Sequence, residues 1–293
     1  MLRSVEEMLQ KAEEKQIPLW KVVLEDDMID RSVDRVESLG TMSDMYTAMK
    51  AADADYDADL QSASCLVGGD GKKMEQAVKE GKVSCGPFVG TVMARAIKMA
   101  ESNACMKRIV AAPTAGSCGV IPAVLISFEE EFGYSEEKMV EAMYVAAGLG
   151  EVISERASIS GAQGGCQAEI GAASAMAAGA ITYLKGGTSQ QIADATALAL
   201  KSLLGLVCDP VAGLVEVPCV KRNVIGAVNA ITASDMVMAG IVSKIPVDEV
   251  IDAMGEVGNM LPCSLKETSQ GGLAVTPTGQ EITERLTEEL FNI

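Results

Sequence analysis

Residues 170–184 read IGAASAMAAGAITYL, a run with no charge and no proline. It is too long for a strand and is apolar or small around its whole circumference, which predicts a helix buried on every side. It is shorter than the roughly 18 apolar residues of a membrane span, and Glu169 precedes it. Alanine and glycine let neighbouring helices approach closely, so the elements around this run are expected to be helices as well. The fold class expected is all-α: a mostly helical domain, with Gly-rich loops between the helices as the places for chemistry.

The composition agrees. The chain is 48% hydrophobic but only 3% aromatic, with 17 Met, so its core must be filled by Ala, Val, Ile, Leu and Met. Helix starts are marked by Ser4 with Glu7, Thr188 with Gln191, Thr278 with Glu281, and Ser135 before Glu136 and Glu137. The Ser135 helix is predicted to end near Gly148 and Gly150, and Pro246 to open another. Strand candidates are few, VVL (22–24) and RIVAAP (108–113) being the best. Residues 1–293 read as a single catalytic domain, with 1–60 a less regular helical leader and 61–293 the core that binds ligands.

The net charge of −17 argues against nucleic-acid or anionic-membrane partners, which need basic surface. The opening MLRSVEEMLQ has no signal-peptide core, so a cytoplasmic location is expected. Eight cysteines are then expected to be free thiols, and with no histidine any base must come from another residue type. No CxxC pair occurs, which argues against zinc ribbons and thioredoxin-like motifs. Cys166 follows GAQGG and precedes a helical run, a place where a helix N-terminus stabilises a thiolate. Cys208 and Cys219 bound a short loop and face one region if DPVAGLVEVP folds back. Three soft thiolates without imidazole suit iron–sulfur chemistry, although a cysteine taken alone is more often a small buried hydrophobe.

Four strings, IVAAPTAGSCGVIPAVL (109–125), ASISGAQGGCQAEIGAASAMAAG (157–179), CDPVAGLVEVPCVKRNVIGAVNA (208–230) and KETSQGGLAV (266–275), strongly resemble the α chain of the iron–sulfur L-serine dehydratases. The resemblance covers most of the chain from about residue 60 onward, in the same order. It implies a 4Fe–4S cluster on Cys166, Cys208 and Cys219, and conversion of L-serine to pyruvate and ammonia. It also implies a separate β chain as partner, since single-chain members carry an additional α/β domain ahead of the catalytic part. Homo-oligomerisation is left open. Some single-chain members place a C-terminal cysteine on the fourth iron, and TEELFNI has none.

For the serine carboxylate, PTAGSCG offers Thr114, Ser117 and the N–H groups of Gly116 and Gly119 at a helix start. Ser158 and Ser160 are similar donors, and Asn223 and Lys221 lie near Cys219. Lys266 is the first candidate for the base, with Glu267, Glu169 and Asp209 as rivals. Cys118 either approaches the fourth iron or packs behind the loop. Two other functions use much the same residues: an L-cysteine desulfidase, in which sulfide leaves, and a non-enzymatic iron–sulfur redox or sensor subunit. A pyridoxal-phosphate reading of GGDGKK leaves the cysteines unexplained.

Overall fold

A computed structural model describes residues 2–291. The central helix is α9 (Ala172–Leu184), in which every residue except Tyr183 is buried. Four helices pack around it: α6 (Val120–Phe132), α7 (Glu136–Arg156), α10 (Ser189–Ser202) and α11 (Cys219–Met238). Small residues set the spacing. A Cβ on Gly179 would lie 2.2 Å from Leu149 Cδ1, and one on Gly150 would lie 2.7 Å from Met176 Cε. These helices touch nearly backbone to side chain, and an added methyl has no room in a close-packed interior.

The leader departs from the expected irregularity. It forms α1 (Val5–Lys15), α2 (Leu19–Asp30) and α3 (Arg35–Ala54). Leu2, Met8, Trp20, Val23, Tyr46 and Met49 belong to the same hydrophobic core as α7 and α9. VVL, offered as a strand, lies inside α2, where burial of Val22, Val23 and Leu24 overrides their β preference. RIVAAP is irregular and pairs with nothing. Among the described residues there is no strand; the sole β-type pairing is an isolated parallel bridge between Cys208 and Lys266.

On the other flank, α5 (Gly86–Ala104) packs on α11, α6 and α4 (Asp70–Lys79). A single turn, α8 (Gly161–Gly164), and α12 (Val247–Met260) close one end, and α13 (Pro277–Phe291) lies against the turns at Val211–Gly213 and Gly272–Val275. The caps largely follow the sequence. Ser4 and Ser135 each accept an N–H three residues on, and Thr188 with Gln191 makes a full capping box. Thr276, rather than Thr278, accepts the Gly279 N–H, because α13 already begins at Pro277. The Ser135 helix runs on through Gly148 and Gly150 to Arg156, since both glycines are buried contact points rather than ends.

Candidate active site

Four loop segments, 113–119, 158–166, 206–218 and 263–276, meet at the end of the bundle where α6, α9 and α11 begin. Cys166 precedes a π-helical turn, Gln167–Gly171, that runs directly into α9. Gln167 stitches this turn in place: its Nε2 donates to Gly164 O and Met254 O, and its Oε1 accepts from Gly205 N–H. Cys208 is held by its neighbours' backbone, its N–H donating to Leu265 O and its carbonyl accepting from Glu267 N–H, each at 2.9 Å. Cys219 is the first residue of α11. All three cysteines are buried, and none of the eight is in a disulfide.

The three thiols titrate as a group. A hydrogen bond from Cys208, together with the Arg222 guanidinium, holds Cys166 below the usual thiol range. The same bond, then burial and the repulsion of nearby negative charge, raises Cys208. Burial, then the charge at Cys166, pushes Cys219 up to about 12. The thiolate form is favoured at Cys166 and opposed at the other two, an opposition that a shared cation would relieve. Among the described residues, the one set of acidic or thiol groups whose ligand atoms all lie within 4.8 Å is Asp26, Asp30 and Glu151, between α2 and α7. At least one pair among the three cysteine sulfurs is therefore more than 4.8 Å apart.

Glu169 lies one turn beyond Cys166 and turns its carboxylate toward the thiols. A Cβ on Gly161 would lie 2.8 Å from Glu169 Oε2 and 3.1 Å from Cys208 Sγ, so only glycine fits between the two groups. Glu169 Oε1 accepts from Thr114 Oγ1 at 2.8 Å, and Thr114 Oγ1 lies 3.0 Å from Ser117 Oγ. Burial raises the Glu169 carboxyl above its ordinary range, and repulsion from Glu267 adds to this against the Thr114 bond.

The expected donors divide. Thr114, Gly116 and Ser117 gather around Glu169, and among the described residues no backbone oxygen accepts the Gly116 N–H. Gly119 is not a free donor, because its N–H is taken by Asn223 Oδ1 at 2.8 Å. Asn223 is equally committed, its Nδ2 donating to Gly116 O and Cys219 O. Lys221 points away and pairs with Asp70 at 2.5 Å. Ser158 donates to Gln163 Oε1 and accepts from the Ser160 N–H, while Ser160 O caps the turn at α8. Ser158 and Lys266 line a neighbouring pocket of about 630 Å³, with Arg156, Gln163 and Asn259, which none of the three cysteines reaches.

Neither the sequence motifs nor the resemblance gives Arg222 or Gln167 a role. Arg222 follows Cys219 by three residues, which puts both on one helix face, so its place was readable. Gln167 carries no local signal, since its partners come from three separate segments.

The family described as serine dehydratase alpha chain matches residues 14–274. The chain is 46% identical over 286 residues to the probable L-serine dehydratase, alpha chain, of Bacillus subtilis, covering 98% of this chain and 95% of that one. It is 38% identical over 290 residues to the L-serine dehydratase, alpha chain, of Peptoniphilus asaccharolyticus, covering 99% of each. It is also 43% identical over 182 residues to the L-serine dehydratase TdcG of Escherichia coli, covering 61% of this chain and 40% of that one. With a family match that spans most of the chain and relatives aligned nearly end to end, this chain belongs to the serine dehydratase alpha chain family.

Proposed function

We propose that this chain carries the active site of an iron–sulfur-dependent L-serine ammonia-lyase. The observation that carries the reading is the convergence of three buried, unbridged thiols on a partly buried carboxylate. The donor set fits a 4Fe–4S cluster: it is all sulfur, is unbridged, and resists full ionisation until cationic charge arrives. Cys166, Cys208 and Cys219 would hold it. Bound by three thiolates, such a cluster supplies a Lewis acid for the departing hydroxyl.

The remaining work falls to the chain's own side chains. Glu169 is assigned the α-proton in place of Lys266, because its carboxylate faces the thiols whereas Lys266 lines the adjoining pocket. Thr114 fixes the Glu169 carboxylate by donating to Oε1, leaving Oε2 as the proton acceptor. The Gly116 N–H binds the substrate carboxylate, with the buried Ser117 hydroxyl holding its turn. Lys266 and Ser158 form the polar approach through which serine arrives. Loss of the α-proton and the β-hydroxyl gives aminoacrylate, whose imine tautomer is hydrolysed to pyruvate and ammonia.

Relatives named as alpha chains support a separate β chain as partner. The test is Mössbauer spectroscopy of anaerobic protein loaded with isotope-enriched iron, with its partner, before and after L-serine. One iron whose signal shifts with serine is expected. Equivalent irons blind to serine would replace this reading with a redox subunit, and sulfide release from L-cysteine at a higher kcat/KM than serine turnover would replace it with a desulfidase.

A further inference from the structure

The three cysteines come from separate stretches of chain, so their mutual register must be fixed by something other than local sequence. Arg222 is built into two of these stretches and lies beside the third. It shares the first turn of α11 with Cys219. Its Nη1 donates to Val207 O and its Nη2 to Asp209 Oδ1, both at 2.8 Å, and these two residues flank Cys208. The same guanidinium lies beside the Cys166 side chain.

We propose that Arg222 is a positioning residue that locks the Cys166, Cys208 and Cys219 segments into one register, with Asp209 extending the lock to the 263–276 segment. Asp209 is the relay because its second oxygen accepts the Leu273 N–H at 2.9 Å. The contact is tight: Gly272 is in the left-handed region, with φ 59°, and a Cβ there would lie 2.4 Å from Asp209 Oδ2. The Asp209 side chain is 5% exposed and that of Arg222 15%. Burying such a pair costs desolvation, so it is a poor source of stability and is better understood as a device of register.

Arginine is the suitable type, for its planar fork offers several donors in fixed directions and keeps its charge. Both of its terminal nitrogens are turned onto protein groups, so they hold the chain rather than present an open fork to the serine carboxylate. The proposal rests on the cluster reading above for its consequence, but the lock itself is a property of the chain.

Two measurements on Arg222→Met, Arg222→Lys and Asp209→Asn test it. In the reconstituted holoenzyme, the cluster's visible absorbance should bleach under a chelator about tenfold faster in Arg222→Met than in wild type, and less so in Arg222→Lys, in line with the cost of removing a group that supports metal ligands. The KM for L-serine should stay within about twofold, and kcat should fall only with cluster occupancy. In the metal-free chain, hydrogen exchange should quicken about tenfold in peptides covering 205–210 and 263–276, with α7 and α9 unchanged. Bleaching and exchange both like wild type would overturn the proposal, as would a raised KM with cluster retention intact, which would make Arg222 a substrate ligand. If Arg222→Met loosens α7 and α9 too, Arg222→Lys and Asp209→Asn decide by the same two criteria. If wild type takes up no cluster, the proposed function fails and the exchange measurement alone decides the lock.

Discussion

Asn223 is bonded to Gly119 across the gap between α11 and the start of α6: the buried side-chain oxygen accepts the Gly119 N–H at 2.8 Å. Its amide nitrogen returns to Gly116 O at 2.8 Å, so one side chain grips both ends of the GSCG turn (116–119). A Cβ on Gly119 would lie 2.5 Å from Ala96 O, which explains why the turn comes so close to α5 as well. The loop nearest Glu169 is thus clamped from behind by the helix that carries Cys219.

Replacing Asn223 with Ala strands the Gly119 N–H and the Gly116 carbonyl in the interior. Each orphaned group costs about 1–3 kcal/mol. The expected result is a lower urea midpoint with an unchanged slope. A midpoint like that of wild type would show that the turn finds other partners and that Asn223 is not its clamp.

Glu169→Gln keeps the shape of the side chain and an oxygen for the Thr114 hydroxyl. It removes the basic oxygen. Turnover of L-serine is expected to fall about 10²–10⁴-fold, the range for losing a general base, with iron and sulfide content unchanged. Lys266→Met serves as the contrast and should raise KM more than it lowers kcat, as expected of a residue in the approach. If instead Lys266→Met abolishes turnover and Glu169→Gln does not, the two roles are exchanged.

The helix at 170–184 was legible because its evidence is local: length, small side chains and an absence of charge. The caps at Ser4, Ser135 and Thr188 were legible for the same reason. Helix α2 was not, since its apolar residues are spread around the axis and its burial is decided by α7 and α3. The π-helical turn after Cys166 leaves no mark on the hydrophobic pattern, yet it determines where Glu169 points. At the site, residue types were readable and their commitments were not. Asn223 and Gly119 have the right chemistry to bind a carboxylate, and the tertiary structure has already paired them with each other.

Glu151 of α7 lies beside Asp26 and Asp30 of α2, and its Oε1 accepts the Leu2 N–H at 3.2 Å. Burial, with the acidic neighbours adding to it, raises its carboxyl above the ordinary 4.5. The folded state therefore holds this proton more tightly than the unfolded state. The stabilising contribution is full below 4.5 and is lost as pH rises through the folded value. Glu151→Gln keeps the acceptor for Leu2 and removes the titration. It should be more stable than wild type at about pH 7, with the gap closing toward about pH 4. A gap of the same size at both pH values would mean that the substitution acts through packing instead.

Cys118 provides the sharpest separation between a cysteine that packs and one that binds. It is fully buried at the foot of α6, its Sγ reaches Met99 O at 3.7 Å, and burial pushes its thiol up to about 12. Those are the surroundings of a small apolar side chain, with no cationic neighbour to favour a thiolate. Cys219, by contrast, adjoins Cys166 and Arg222, and a thiolate there becomes favourable once a cation is shared among the three. Cys118→Ala should therefore keep its full iron and sulfide content and lose stability on the order of 1 kcal/mol, as for a small core truncation. Cys219→Ala should fail to retain iron while its metal-free fold, judged by far-ultraviolet circular dichroism, matches wild type. If iron is lost from Cys118→Ala and kept by Cys219→Ala, the sulfur set assigned here is wrong. Loss from both would draw Cys118 into the set and make four protein ligands, the arrangement of an electron carrier rather than of a lyase.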